Sequence, residues 1–110
     1  MAPTPSTIRQ LDVVRNPIRA ARDVKPFLVC LQHHLLDHLS TRVLAVLAVK
    51  PESGERSRLY PAVRIESDIL YFNPTDLMTL PVRLLGKPIA NLEAERDRII
   101  AALDMVFTGI

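Results

Sequence analysis

The chain has 110 residues, an apolar content of 48% and a formal net charge of +2 at pH 7. That length supports one domain with a single core, and a charge so near balance does not argue for nucleic acid by itself. No apolar run approaches the ~20 residues of a membrane helix, and with no Trp, two Tyr and three Phe the chain lacks an aromatic platform for stacking bases.

Met-Ala-Pro-Thr-Pro-Ser-Thr at the start has neither a basic n-region nor an apolar h-region, so it does not read as a signal peptide. Residues 1–9 are expected to form a flexible tail on a single domain spanning 1–110. Leu11 to Val14 is a short strand candidate that Asn16-Pro17 turns. Residues 18–25 are basic, lack a clear period and read as a loop. Pro26 to Leu31 is a compact apolar run, expected as a central strand buried on both faces. Its Cys30 is the only cysteine, which excludes an internal disulfide and fits a reducing cytoplasm. In that setting it reads as a buried, inert thiol.

Leu35 to Val49 is ambiguous. Leu35, Leu36, Leu39, Val43, Val46 and Leu47 fit a helical period, whereas residues 43–49 also alternate as a strand. Residues 51–55 look like a turn. Leu59–Ile65 and Ile69–Phe72 are expected as two strands joined by Glu66-Ser67-Asp68, with Pro61 requiring the first to lie at a sheet edge or to be locally bulged. Asn73 to Asp76 reads as a loop or one helical turn, and Leu80 to Leu85 as a further strand closed by Gly86-Lys87-Pro88.

The clearest helix is the last one. Asn91 is positioned to cap it, and Glu93 and Glu95 lie near the positive end of its dipole. Leu92, Ile99, Leu103 and Val106 form an apolar stripe that Ile100 and Phe107 widen. Glu93–Arg96 and Glu95–Arg98 are spaced for i,i+3 pairs, and Gly109 supplies a stop. The apolar ending Phe107-Thr108-Gly109-Ile110 reads either as a frayed terminus or as a tip presented to a partner.

His33, His34 and His38 with Asp37 are the one cluster with metal-like spacing, but no histidine lies elsewhere to complete a zinc site. The alternative is a set of polar residues at a strand end. Arg15, Arg19, Arg22 and Lys25, and also Arg56 and Arg58, have the chemistry to touch phosphates; on spacing alone they read as a solvated loop. There is no Gly-rich phosphate loop, no Gly-x-Ser-x-Gly elbow and no Cys–His arrangement, so nothing argues positively for an enzyme or a cofactor.

Leu59-Tyr60-Pro61-x-Val63, Thr75-Asp76-Leu77, Leu80-Pro81-Val82, Gly86, Ala90-x-Leu92 and Met105-x-Phe107-x-Gly109-Ile110 together resemble the CcdB plasmid-maintenance toxins. Phe27-Leu28-Val29, Leu31-Gln32 and Leu35-Leu36-Asp37 are similar to that family's second strand and following turn. The likeness covers about residues 10 to 110 and implies a mainly β (α+β) fold, a small SH3-like antiparallel β-barrel with one C-terminal α-helix. That architecture is shared with MazF and Kid toxins, and it makes Thr41 to Val49 a strand. It also implies a two-fold homodimer with Val106 and Ile110 at the interface.

By the same resemblance the protein is a cytoplasmic, non-enzymatic toxin that binds the DNA gyrase A subunit and traps it on cleaved DNA. A CcdA-like antitoxin neutralises it, and operator DNA is bound only by the toxin–antitoxin complex. The implied gyrase-binding residues are Phe107, Thr108, Gly109, Ile110, Ala101, Asp104, His33, Leu35 and Leu36. Three places depart from the family pattern. Thr108 stands where a Trp stacks on gyrase, Ala101 and Asp104 where the best-known members have Asn, and His33-His34 where they have Ser-Asp. Loss of an interface Trp costs ~2 kcal/mol or more, so the same pose on the same gyrase is expected to be weaker. The alternatives are a homologue that binds antitoxin and co-represses without poisoning gyrase, and a MazF-like ribonuclease.

Overall fold

The computed structural model describes residues 8–52 and 58–110. Six strands, β1 (Asp12–Arg15), β2 (Phe27–Cys30), β3 (Thr41–Ala48), β4 (Ala62–Ile65), β5 (Asp68–Pro81) and β6 (Ala90–Asn91), precede a single helix α1 (Arg96–Phe107). All pairings are antiparallel, in the order β4-β5-β3-β2-β1-β6. The sheet curls into a nearly closed barrel with the helix at its C-terminal end, the fold class expected from the sequence. No described helix is long and apolar enough to cross a membrane.

The period-2 geometry of a strand explains why the middle of the sheet is apolar throughout. Val13, Val29, Ala45 and Leu47 point to one face, where they meet Val63, Ile65, Leu70 and Phe72 and the helix residues Ile99 and Ala102. Val14, Leu28, Cys30, Leu44 and Val46 point to the other, against Ile8 and Leu85. The Pro26–Leu31 run is therefore a central strand buried on both faces, as predicted, and residues 41–48 settle as a strand rather than a helix.

Several expectations change. Residues 73–76 are not a loop between elements but a bulge within the long strand β5. Ala45 pairs with Leu77 while the next residue, Val46, pairs with Asn73, so Pro74, Thr75 and Asp76 have no partner in β3. The Asn73 Oδ1 accepts the Thr75 N–H at 3.0 Å and the Thr75 hydroxyl at 2.7 Å, closing the extra backbone on itself. Lys25 then clamps the bulge from the β1–β2 loop, its Nζ 2.6 Å from Asp76 Oδ2. Hydrogen bonding to Asp76, with its charge, raises the Lys25 pKa.

The expected strand over 80–85 is the end of β5 followed by a 3-10 turn at Val82–Leu84, because Pro81 halts the ladder. The first hairpin strand begins at Ala62 rather than Leu59. It does lie at a sheet edge, and the Pro61 carbonyl still accepts the Phe72 N–H at 3.0 Å. Glu66 turns the β4–β5 hairpin at φ 56°. The short strand β6 has no counterpart in the sequence reading. At the N-terminus, Ile8 is fully buried and its carbonyl accepts from Arg42 at 2.9 Å, so residue 8 belongs to the packed domain and not to a tail. Residues 1–7, and most of the turn expected at 51–55, lie outside the described residues.

Candidate functional site

Asn91 acts as a cap, but one element earlier than expected. Its Oδ1 accepts the Glu93 N–H at 2.8 Å and starts a 3-10 turn over Glu93–Glu95, after which α1 begins at Arg96. Both anticipated ion pairs form. Arg96 grips Glu93 through two hydrogen bonds of 2.7 Å, and Arg98 pairs with Glu95. The bonds from Arg96 hold the Glu93 carboxyl below its ordinary value.

The helix buries Ile99 and Ala102 and half-buries Leu103. Its last turn then runs off the barrel. Met105 and Val106 are 36% and 37% exposed, Phe107 66% and Ile110 92%. Gly109 adopts φ 75°, the left-handed conformation that ends helices, as predicted. The Thr108 N–H and hydroxyl both donate to the Asp104 carbonyl, at 2.8 and 2.7 Å. The hydroxyl is thus used inside the helix end, and the outward chemistry of the tip is that of Phe107 and Ile110.

The second group of predicted site residues lies in the β2–β3 connection. The His33 Nδ1 accepts the Leu35 N–H at 3.1 Å and starts a one-turn 3-10 helix at His34–Leu36, which leaves Leu35 and Leu36 74% and 44% exposed. Two buried side chains hold this connection from below. Gln32 donates to the carbonyls of Leu36 and Thr41, at 3.1 and 3.0 Å, and accepts from the Val43 N–H at 3.3 Å. Arg42, only 2% exposed, donates to the carbonyls of Ile8, Asp37, Leu39 and Thr41 at 2.7–3.0 Å. Among the described residues no acid pairs with it; backbone dipoles carry its solvation. Asp37 Oδ2 lies 3.7 Å from Arg9 Nε. Among the described residues no three His, Cys, Asp or Glu side chains converge on a metal-sized site.

Within one protomer the structure does not join the two groups. His34 lines a polar cleft with Asn91, Glu93 and Arg96, at the beginning of α1, whereas Thr108–Ile110 follow its far end, about 17 Å away at 1.5 Å per residue. Ala101 is separated from the tip as well. It faces a cleft of ≈ 700 Å³ between α1 and the β4–β5 edge, with Tyr60, Pro61, Ala62, Tyr71 and Arg98. Arg98 bridges the two elements by donating to the Ala62 carbonyl at 2.7 Å. Sequence reasoning missed Arg42 and this cleft, since both depend on tertiary packing.

A family profile described as CcdB protein matches residues 10–109. The chain belongs to the CcdB family. It is accordingly the toxin component of a toxin–antitoxin module. No curated relative matches this CcdB chain by sequence. Solved structures share its fold. One is an endoribonuclease in complex with its cognate antitoxin from a mycobacterial species, with TM-score 0.70 and 18% identity, covering 94% of this chain and 93% of that one. A second is the Mycobacterium tuberculosis toxin MazF-mt6, at 0.67 and 15%, covering 90% and 96%. A third, described as an Mtb toxin, has TM-score 0.64 and 18% identity over 76% of this chain and 92% of that one. At such identities the likeness carries the barrel-and-helix architecture and not the chemistry.

Proposed function

We propose that this CcdB-family chain is a cytoplasmic gyrase poison: a homodimer that binds the gyrase A subunit and traps it on cleaved DNA until a CcdA-like antitoxin displaces it. The observation that carries the reading is the last turn of α1. Phe107 and Ile110 stand largely free of their own barrel in a chain whose family match runs to residue 109. A monomer gains nothing from exposing them, so a second copy and a target are the natural cover. In this reading Val106 and Ile110 belong to the two-fold interface, and Leu35 and Leu36 of the connection to the gyrase-binding surface. The solved endoribonuclease–antitoxin complex supports an antitoxin partner.

The test uses purified chain, supercoiled plasmid and gyrase from its own host. Accumulation of linear, protein-linked DNA is the expected result; its absence removes the poison reading. Thr108→Trp restores the family's ring at an exposed position and is expected to raise the potency on a gyrase that accepts Trp.

A second reading rests on Thr108 itself. Its hydroxyl is turned inward and it offers no ring, which suits a member that retains antitoxin binding and operon co-repression without poisoning. Controlled expression separates the two, since only the poison arrests growth. The neighbours described as endoribonucleases motivate a further assay with single-stranded RNA, in which cleavage would displace both readings.

A further inference from the structure

The four cations Arg15, Arg19, Arg22 and Lys87 line one cleft of ≈ 420 Å³, with Pro17, Leu84, Gly86 and Ile89 as the rest of its wall. The sequence presents the three arginines as a diffuse basic loop that also contains Lys25. The fold sorts them. Lys25 is consumed by Asp76, and Lys87 arrives from the connection before β6 to take its place.

Two of the three arginines have a contact that steadies the side chain, and the third is placed by its backbone. The Arg15 guanidinium lies 5.9 Å from the Phe27 ring centroid. Arg19 begins a 3-10 turn that ends at Ala21. The Arg22 Nε donates to the Asn16 carbonyl at 2.6 Å, which leaves its two terminal nitrogens free to bind. Asn16 is itself buried and tied to the Lys25 carbonyl and the Ile18 N–H, both at 2.9 Å, so the loop is set before any ligand arrives. No acidic side chain is among the residues lining the cleft, and among the described residues none of the four cations forms an ion pair.

We propose that this cleft is a seat for the phosphodiester backbone of a nucleic acid, bound by the toxin chain itself and independently of gyrase. Guanidinium forks match phosphate oxygens bidentately, and the cleft volume suits one backbone unit with its neighbours reaching the rim. The wall carries no aromatic ring to stack a base, so binding is positional rather than sequence-reading. An acidic peptide would meet the same charges, with Leu84 and Ile89 open to its other side chains, and it is therefore the competitor in the test.

The experiment measures fluorescence anisotropy of labelled duplex DNA and labelled single-stranded RNA with the intact protein over a salt series. Occupation of the seat by about three to four phosphates predicts a log–log salt slope near −3 on duplex DNA. The double variant Arg19→Gln with Lys87→Gln is expected to weaken binding at least about tenfold at low salt and to flatten the slope by about 2, with circular dichroism and melting unchanged. Arg64→Gln, on the opposite edge strand β4, is the control and should leave both values in place. Tighter binding of duplex DNA or of RNA identifies which backbone is the natural occupant, and either supports the seat. Absence of binding at low salt, an equal loss from Arg64→Gln, or tighter binding of an oligoglutamate of matched charge would overturn it.

Discussion

Replacing Arg42 with methionine keeps the stem of the side chain and removes all five guanidinium N–H groups. The Thr41 carbonyl still has Gln32 Nε2 at 3.0 Å, so it is not orphaned. The carbonyls of Ile8, Asp37 and Leu39 lose their donor. Ile8 is fully buried, and an unsatisfied acceptor there costs about 2 kcal/mol. Asp37 and Leu39 sit in the more exposed connection and can turn to water, losing about 0.5 kcal/mol each. The variant is therefore expected to be destabilised by about 3 kcal/mol, which corresponds to a fall in Tm of roughly 12 °C or more. Urea unfolding followed by circular dichroism, at one fixed protein concentration, measures it. The same variant should be cut faster by protease between residues 33 and 40, because Arg42 holds that connection to the barrel. A loss below about 1 kcal/mol with unchanged proteolysis would refute the reasoning, since the carbonyls of Ile8, Asp37 and Leu39 would then not depend on this side chain.

Cys30 is fully buried, and burial pushes its thiol pKa up; Ellman's reagent should react with it in urea and scarcely in native buffer, even at mildly alkaline pH. Glu93 has a depressed folded pKa, so its pairing with Arg96 stabilises the helix start above the ordinary glutamate range and loses that contribution as pH falls through the depressed value. An NMR titration should find its midpoint below that of an unpaired glutamate, and Arg96→Ala should move it up. Glu66→Gly relieves a left-handed backbone at φ 56° and is expected to raise stability by about 0.5 kcal/mol, the strain relieved being partly offset by glycine's entropy in the unfolded chain. Ile99→Ala empties the fully buried contact between α1 and the barrel and should cost about 3 kcal/mol by chemical denaturation.

What was legible in the sequence is whatever depends on local pattern. The apolar run at Phe27–Cys30 could be buried on both faces only in the middle of a sheet, and Gly109 stops the helix where expected. Residues 43–49 carried both periods, and the family resemblance rather than the spacing resolved them. The bulge at Pro74–Asp76 was not readable, because Asn-Pro-Thr-Asp is turn chemistry on its own and becomes part of a strand only through pairing on either side with β3. Leu80 to Leu85 misled in the opposite sense: a short apolar run before Gly86-Lys87-Pro88 looks like a strand, while Pro81 and the Val82–Leu84 turn end the ladder. Arg42 left no signal at all, since its acceptors are backbone carbonyls scattered over residues 8 to 41. The cation cleft was half visible as a basic loop, but Lys87 joins it only in three dimensions.

The helix end shows how these layers bear on function. Its packing stops at Ala102 and Leu103, while the helical backbone continues to Phe107. The barrel does not hold the last turn; Thr108 does, by returning both its N–H and its hydroxyl to the Asp104 carbonyl. A Trp at this position would keep the N–H bond, lose the hydroxyl bond and carry its ring at an exposed position. The chain thus has a stiffened tip with Phe107 and Ile110 displayed, in place of one large aromatic anchor. Such a tip gains affinity only against a surface that receives two separate apolar groups. On the gyrase reading proposed above, a gyrase shaped for a single Trp should discriminate against this tip, and the host's own gyrase is the one on which to test that reading.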